Sequence, residues 1–153
     1  MLHYEDLVVG QKRSFGQYHV TLAEVIDFAS KYDPQPFHLN DEAAAQTYFG
    51  RISASGWHTG AMVMRMLVDN MAEHPQAALG SPGLDDLKWI KPVYPGDTLR
   101  CESEITEKRR SRTKPGLGIF KSRVHVYNQD DILVTSMLSN GLIKVRNPDA
   151  SAD

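Results

Sequence analysis

Trp57-His58-Thr59-Gly60-Ala61-Met62-Val63-Met64-Arg65-Met66-Leu67-Val68 is the stretch on which the fold turns. Its apolar residues fall on nearly every side of a helix. Only Arg65 interrupts, and Asp69 stands one turn later as its partner. A helix that is apolar all round is a buried one. Continued to about His74, it is roughly 27 Å long at 1.5 Å per residue. Such a spine needs a layer wrapped around it, and the residues downstream supply one. Leu84 to Val93 reads as a strand, with Pro92 marking an edge or a bulge. Tyr94-Pro95-Gly96-Asp97 is a turn. Leu99, Cys101, Ser103 and Ile105 alternate with charged residues, and Phe120, Ser122, Val124 and Val126 alternate with Lys121, Arg123, His125 and Tyr127. Asn128 to Asp131 turns the chain into a last strand, Ile132 to Val145. Strands joined by short turns favour an antiparallel sheet. One buried helix against a curved antiparallel sheet is an α+β architecture.

Upstream of the spine, Gln11 to Val20 reads as a first strand. Thr21 with Glu24 forms a capping box, and Leu22, Val25, Ile26 and Ala29 give the following helix one apolar face. That helix stops before Asp33-Pro34. Asn40 caps a second helix with Asp41 and Glu42 in its first turn and three alanines behind them, ended by Gly50. The reading is one domain over 1–146, with 147–153 a flexible tail.

At 153 residues the chain fits one core, and 41% hydrophobic with 24% charged residues is ordinary for a soluble globular protein. A net charge of −2 argues against nucleic-acid binding, and no apolar run is long enough for a bilayer. Cys101 is the only cysteine, which excludes an intrachain disulfide and a CxxC zinc site. Met1 to Gly10 lacks a signal pattern, so the default expectation is a reduced, cytoplasmic protein. His3, His19, His74 and His125 are scattered without metal-ligand spacing, and no phosphate-cradling glycine loop is present.

Between the two short helices lies Asp33-Pro34-Gln35-Pro36-Phe37-His38. Two prolines in this segment disfavour a helix and stiffen the loop. A carboxylate and an imidazole fixed near each other are what proton transfer needs. Each has a plainer reading alone: Asp33 can start a turn before Pro34, and His38 can be a hydrogen-bonded structural histidine. Gly56 stands where the spine begins, with free amides and the positive dipole end. The Met62, Met64, Met66 group reads as core. Trp57 and Trp89 read as packing residues, with Trp57 near enough to Gly56 to shape a pocket. His58 is a rival histidine with a structural role as its simpler reading. Gln35, Phe37, Ser55, Trp57 and His58 are candidate substrate contacts from their places beside the dyad and Gly56. The run Lys108, Arg109, Arg110, Arg112, Lys114 reads as a solvated hairpin, with Arg109, Arg110 and Arg112 as candidate phosphate contacts.

Taken together, Phe28-Ala29, the Asp33 to His38 segment, Tyr48-Phe49-Gly50, Ala54-Ser55-Gly56 and Lys91-Pro92-Val93-Tyr94-Pro95-Gly96-Asp97-Thr98-Leu99 resemble the MaoC-like dehydratases, the (R)-specific enoyl-CoA hydratases of the hot-dog fold. The resemblance runs from about Tyr4 to Val145. It implies a central helix wrapped by an antiparallel sheet and assembly as a homodimer or higher oligomer. It implies a trans-2-enoyl-CoA substrate with water as cosubstrate, and no cofactor or metal beyond the coenzyme A of the substrate. It places the catalytic dyad at Asp33 and His38 and the thioester-binding amide at Gly56. The family motif usually reads Gly-Asp-x-Asn-Pro-x-His, and here Tyr32 and Gln35 replace its glycine and asparagine. Ser55 stands where histidine is common, and Met64 where some members have serine. These departures bear on pocket shape.

Hydrating an enoyl thioester requires that water lose a proton, that the α-carbon gain one, and that the enolate oxygen be stabilised. Asp33 is expected as the main base toward water, His38 as the group that orients and shuttles, and the Gly56 amide as the donor to the oxygen. Two alternatives compete. A hot-dog thioesterase would place a carboxylate early on the central helix, yet the first acid there is Asp69. A non-catalytic acyl-CoA-binding module would have no need of a paired acid and base.

Overall fold

The computed structural model describes residues 1–150. After a short 3₁₀ turn at Tyr4–Asp6, the elements are β1 (Lys12–His19), α1 (Leu22–Tyr32), a 3₁₀ turn at Pro36–His38, α2 (Asp41–Ala45), α3 (Gly56–Glu73), β2 (Ala78–Trp89), β3 (Thr98–Arg110), β4 (Leu117–Tyr127) and β5 (Leu133–Lys144). The five strands form one antiparallel sheet in the order β1-β3-β4-β5-β2. The expected α+β arrangement is present: the sheet curves over α3 without closing into a barrel.

Local chemistry accounts for the helix ends. Thr21 Oγ1 accepts from Glu24 N at 3.3 Å, and Asn40 Oδ1 accepts from Ala43 N at 2.7 Å, so both expected caps are made. α2 ends at Ala45, five residues before Gly50, and a run of turns covers the gap. Met62, Val63 and Met66 of α3 pack with Val20, Leu99, Cys101, Val124, Val126 and Val134 in the main core. Each such side chain contributes about 1.5–3 kcal/mol when fully buried. Met66 lies directly on Gly16, where φ is +83° and the β1–β3 register shifts; a Cβ there would collide with the methionine. Cys101 Sγ lies 4.0 Å from Met66 Sδ, and burial pushes its thiol up to about 12. A smaller cluster joins Tyr4, Leu7, Ala77, Ile143 and Val145.

Four expectations need correction. First, α3 is not buried all round. Trp57, Ala61, Met64 and Val68, at helical spacing, form an exposed stripe, with Trp57 63% and Met64 55% exposed. Met64 therefore leaves the expected core trio, because α3 packs chiefly on β1 and the sheet shields one side only. Second, β2 begins at Ala78, well before Leu84, and Pro82 lies within it while Pro92 lies beyond it. The glycines and proline of this segment read as a turn, but β2 pairs only with β5, and an edge strand tolerates proline. Third, Lys108, Arg109 and Arg110 belong to β3 itself, and the connection to β4 is shorter than the basic run. Fourth, the tail is anchored at its start. Arg110 donates to the carbonyls of Asn147 and Ala150, and the Asn147 amide donates to Glu5. The rest of the expected tail, 151–153, lies outside the described residues.

Candidate active site

Asp33 is the C-cap of α1, its amide donating to Ala29 O at 2.9 Å. Pro34 ends the helix, and Pro36 starts the 3₁₀ turn that carries the chain back on itself. Gln35 N donates to Asp33 O at 2.8 Å and His38 N to Gln35 O at 2.9 Å, so the backbone of the turn is internally bonded. The result brings the two expected side chains together. His38 Nε2 is 3.4 Å from Asp33 Oδ2, with both side chains mostly buried.

The imidazole is fixed from its other side. His38 Nδ1 is 2.7 Å from Ser53 O. A carbonyl only accepts, so Nδ1 carries the hydrogen and Nε2 is left for the site. Phe37 meets the imidazole edge-on at 4.6 Å and stacks on Phe49 at 5.3 Å, closing the apolar side of the ring. Burial acts to raise the Asp33 carboxyl. Hydrogen bonding from Gln35 Nε2 at 2.7 Å, the nearby Ser55 hydroxyl and the His38 charge outweigh it, and the net effect is a lowered pKa. Ser55 Oγ faces this carboxyl without reaching full hydrogen-bond geometry, and is otherwise buried and unpartnered among the described residues.

Ser55 is also the N-cap of α3, but its side chain makes no cap bond. Among the described residues no acceptor meets the amides of Gly56, Trp57 or His58; the first bonded amide is Thr59 N, to Ser55 O. An 18-residue helix thus presents uncapped N–H groups and its positive dipole end next to the Asp33 carboxyl's neighbour Ser55. A Cβ on Gly56 would run into the Trp89 ring, so only glycine lets Trp89 lie on this turn.

The other expected residues separate into groups. Gln35, Phe37 and Ser55 touch or adjoin the dyad as described. Trp57 points away into an edge-on pair with Trp89, ring centres 5.2 Å apart, and lines a largely apolar cavity of about 520 Å³ between α3 and the sheet. His58 is stacked on Phe28 at 4.8 Å and lines a second cavity of about 280 Å³ with Tyr32. Burial lowers its pKa, with Glu24 opposing, and among the described residues its Nδ1 has no partner. Asp33 and His38 line neither of these two cavities. Arg109, Arg110 and Arg112 sit at or beyond the far end of β3 from the Tyr94–Asp97 turn, about 40 Å along a 13-residue strand. Arg110 is further committed to Glu5 at 3.7 Å and to the tail.

Sequence reasoning missed Ser53, Phe49, Tyr94 and the place of Trp89. Ser53 acts through its carbonyl, for which no side-chain signal exists. Tyr94 donates its hydroxyl to Phe49 O at 2.7 Å, and Ala54 N donates to Val93 O at 2.8 Å, stitching segment 91–94 to the wall behind His38.

The profile of the MaoC like domain matches residues 6–126. The chain is 30% identical over 117 residues to a 3-hydroxybutyryl-CoA dehydratase of Methylorubrum extorquens, covering 73% of this chain and 71% of that protein. The crystal structure of a MaoC-like dehydratase from Rhodospirillum rubrum superposes with a TM-score of 0.87 at 34% identity, over 95% of this chain and 99% of that one. The unliganded R-hydratase PhaJ1 of Pseudomonas aeruginosa superposes with a TM-score of 0.68 at 25% identity, over 93% of this chain and 84% of that one.

Proposed function

The chain belongs to the MaoC-like dehydratase family and has its hot-dog fold, and from that premise we propose that it adds water across the double bond of a trans-2-enoyl thioester, or removes it in reverse. The observation that carries this reading is the Asp33–His38 pair at 3.4 Å, with Nδ1 anchored on Ser53 O beside the uncapped start of α3.

The lowered pKa of Asp33 keeps it ionised at neutral pH, and as a carboxylate it accepts a proton from water attacking the β-carbon. In its protonated form His38 offers the Nε2 hydrogen to the α-carbon on the same face, giving syn addition. Afterwards Asp33 holds the water's proton and His38 is neutral. Transfer between them across the same short gap restores the starting state, so protons balance over the cycle. The enolate oxygen forms while the thioester carbonyl is bound by the Gly56 amide, whose dipole is already oriented. A thioesterase reading gains nothing here: Asp69 is paired to Arg65 at 3.0 Å on the exposed side of α3.

The same reading includes assembly with a second copy. The stripe of Trp57, Ala61, Met64 and Val68 and the free edge of β2, with Leu79, Leu84 and Trp89 exposed, are surfaces that water solvates poorly. A second copy seated on these surfaces would cover the Trp57–Trp89 side of the α3 start. Loss of the conjugated enoyl-thioester absorbance with purified protein tests the reaction. No loss on any of a panel of enoyl chain lengths would refute it.

A further inference from the structure

Most basic side chains near an acid are tied to it: Lys31 to Asp27, Arg65 to Asp69, Arg100 to Glu102 and Asp131. Among the described residues without a carboxylate partner, Arg51 and Lys91 are the cations that belong to the segments walling the dyad, 49–55 and 91–94. Arg51 is exposed yet held. Its guanidinium carbon lies 3.9 Å from the centre of the Tyr94 ring. Tyr94 is itself fixed at its hydroxyl and at its backbone amide. Tyr94 OH donates to Phe49 O at 2.7 Å, and Tyr94 N donates to Asp97 Oδ2 at 2.9 Å. Asp97 is buried and accepts from Gln129 Nε2 at 3.0 Å, so the turn does not swing freely. The Phe49 ring is 6.0 Å from the His38 imidazole, which places the clamp in the same wall as the dyad.

A guanidinium lying on an aromatic face uses its face for stacking and leaves its in-plane N–H groups for an acceptor. Phosphate fits that fork in bidentate geometry. We propose that Arg51, seated on Tyr94, holds a phosphate at the end of the pantetheine arm whose thioester sits at Asp33 and His38. Lys91 is exposed on the adjoining segment 91–94 and adds a second cation there. The assignment rests on the thioester reading and moves the phosphate contact away from Arg109, Arg110 and Arg112. Within one chain those lie at the opposite end of the sheet.

Binding separates this from catalysis. The affinities of coenzyme A, 4′-phosphopantetheine and pantetheine are measured by calorimetry for the intact protein and for Arg51→Ala, Arg51→Lys and Arg109→Ala. Arg51→Ala is expected to weaken coenzyme A by at least about tenfold, as loss of charge-assisted hydrogen bonds does, and to leave pantetheine unchanged. Arg51→Lys should fall between, since it keeps the charge and loses the fork. Arg109→Ala should bind like the parent. Equal weakening of coenzyme A and 4′-phosphopantetheine locates the contact at the phosphate nearest the arm. Weakening of coenzyme A alone would put the contact on the nucleotide, beyond the arm's own phosphate, and overturn the proposal. Absence of coenzyme A binding by the parent, or an Arg51→Ala loss that is nil or equal for pantetheine, overturns the proposal. Turnover of an enoyl-pantetheine thioester, which carries no phosphate, by the intact protein reports on the dyad independently, so the two readings fail separately.

Discussion

The turn that carries Asp33 and His38 and the strand that carries Trp89 flank the same helix start, and they are held in opposite ways. In the turn the amides of Asp33, Gln35 and His38 are each bonded, and the Asp33 and His38 side chains each have a partner besides each other. β2 has a neighbour on one edge only, its register shifts three times, and all but one of its side chains are exposed. The acid–base geometry is therefore set inside a single chain, by local hydrogen bonds. The surface that would close over a bound acyl group is not.

Substitutions can break or sharpen that contrast. The largest effect is expected at the dyad. Asp33→Asn and His38→Ala should each lower the rate of enoyl-thioester hydration by about 10²–10⁴-fold. Parent-like turnover in either would show that the bonded turn serves structure alone. Gly56→Val comes next, because its side chain must displace Trp89. Denaturant unfolding should show a loss of about 1–3 kcal/mol, and adding Trp89→Ala should recover most of it. Failure of the second change to recover stability would mean that the strain is not with Trp89.

A middle-sized effect concerns the open side. Met64→Lys with Val68→Lys replaces two members of the exposed stripe. In an isolated chain such surface changes stay within about 0.5 kcal/mol. Sedimentation should instead show a shift from paired to single chains, and unchanged sedimentation would place the assembly surface elsewhere. Smaller is the effect of Gln35→Leu. Removing its hydrogen bond lets burial raise the Asp33 pKa, so the acid limb of kcat/KM moves to higher pH. The ionised carboxylate adds stability above its ordinary value of 3.8, and that contribution is lost as pH falls from there through the lowered folded value; the variant should have less of it to lose. The smallest change is at His58. Burial holds its pKa below 6.5, so the unfolded chain takes up the proton first as pH drops. The parent's thermal midpoint should fall below about pH 6.5 by more than that of His58→Phe, whose ring keeps the stack on Phe28.

Much of this was legible in the sequence where the cause is local. Thr21 and Asn40 announce their helices through side chains that cap them, and Pro34 and Pro36 announce the turn by what they forbid. Asp33 and His38 stand out because two chemically apt residues share that turn. The sequence could not separate the two faces of α3, since Met62 and Met64 are equally apolar and only the curvature of the sheet decides which is covered. Nor could it reveal β2 before Leu84, whose Gly80, Pro82 and Gly83 carry no alternation and are tolerated only because the strand is an edge. Ser53 was invisible because it acts through its backbone.

The packing of Cys101 under Met66 has a practical consequence. Thiol reagents attack the thiolate, and here the sulfur is both shut away and kept protonated. As the chain's sole cysteine, it reacts only when the helix lifts from the sheet. The rate of labelling in the absence of denaturant would thus count openings of the folded molecule, with no probe added to it.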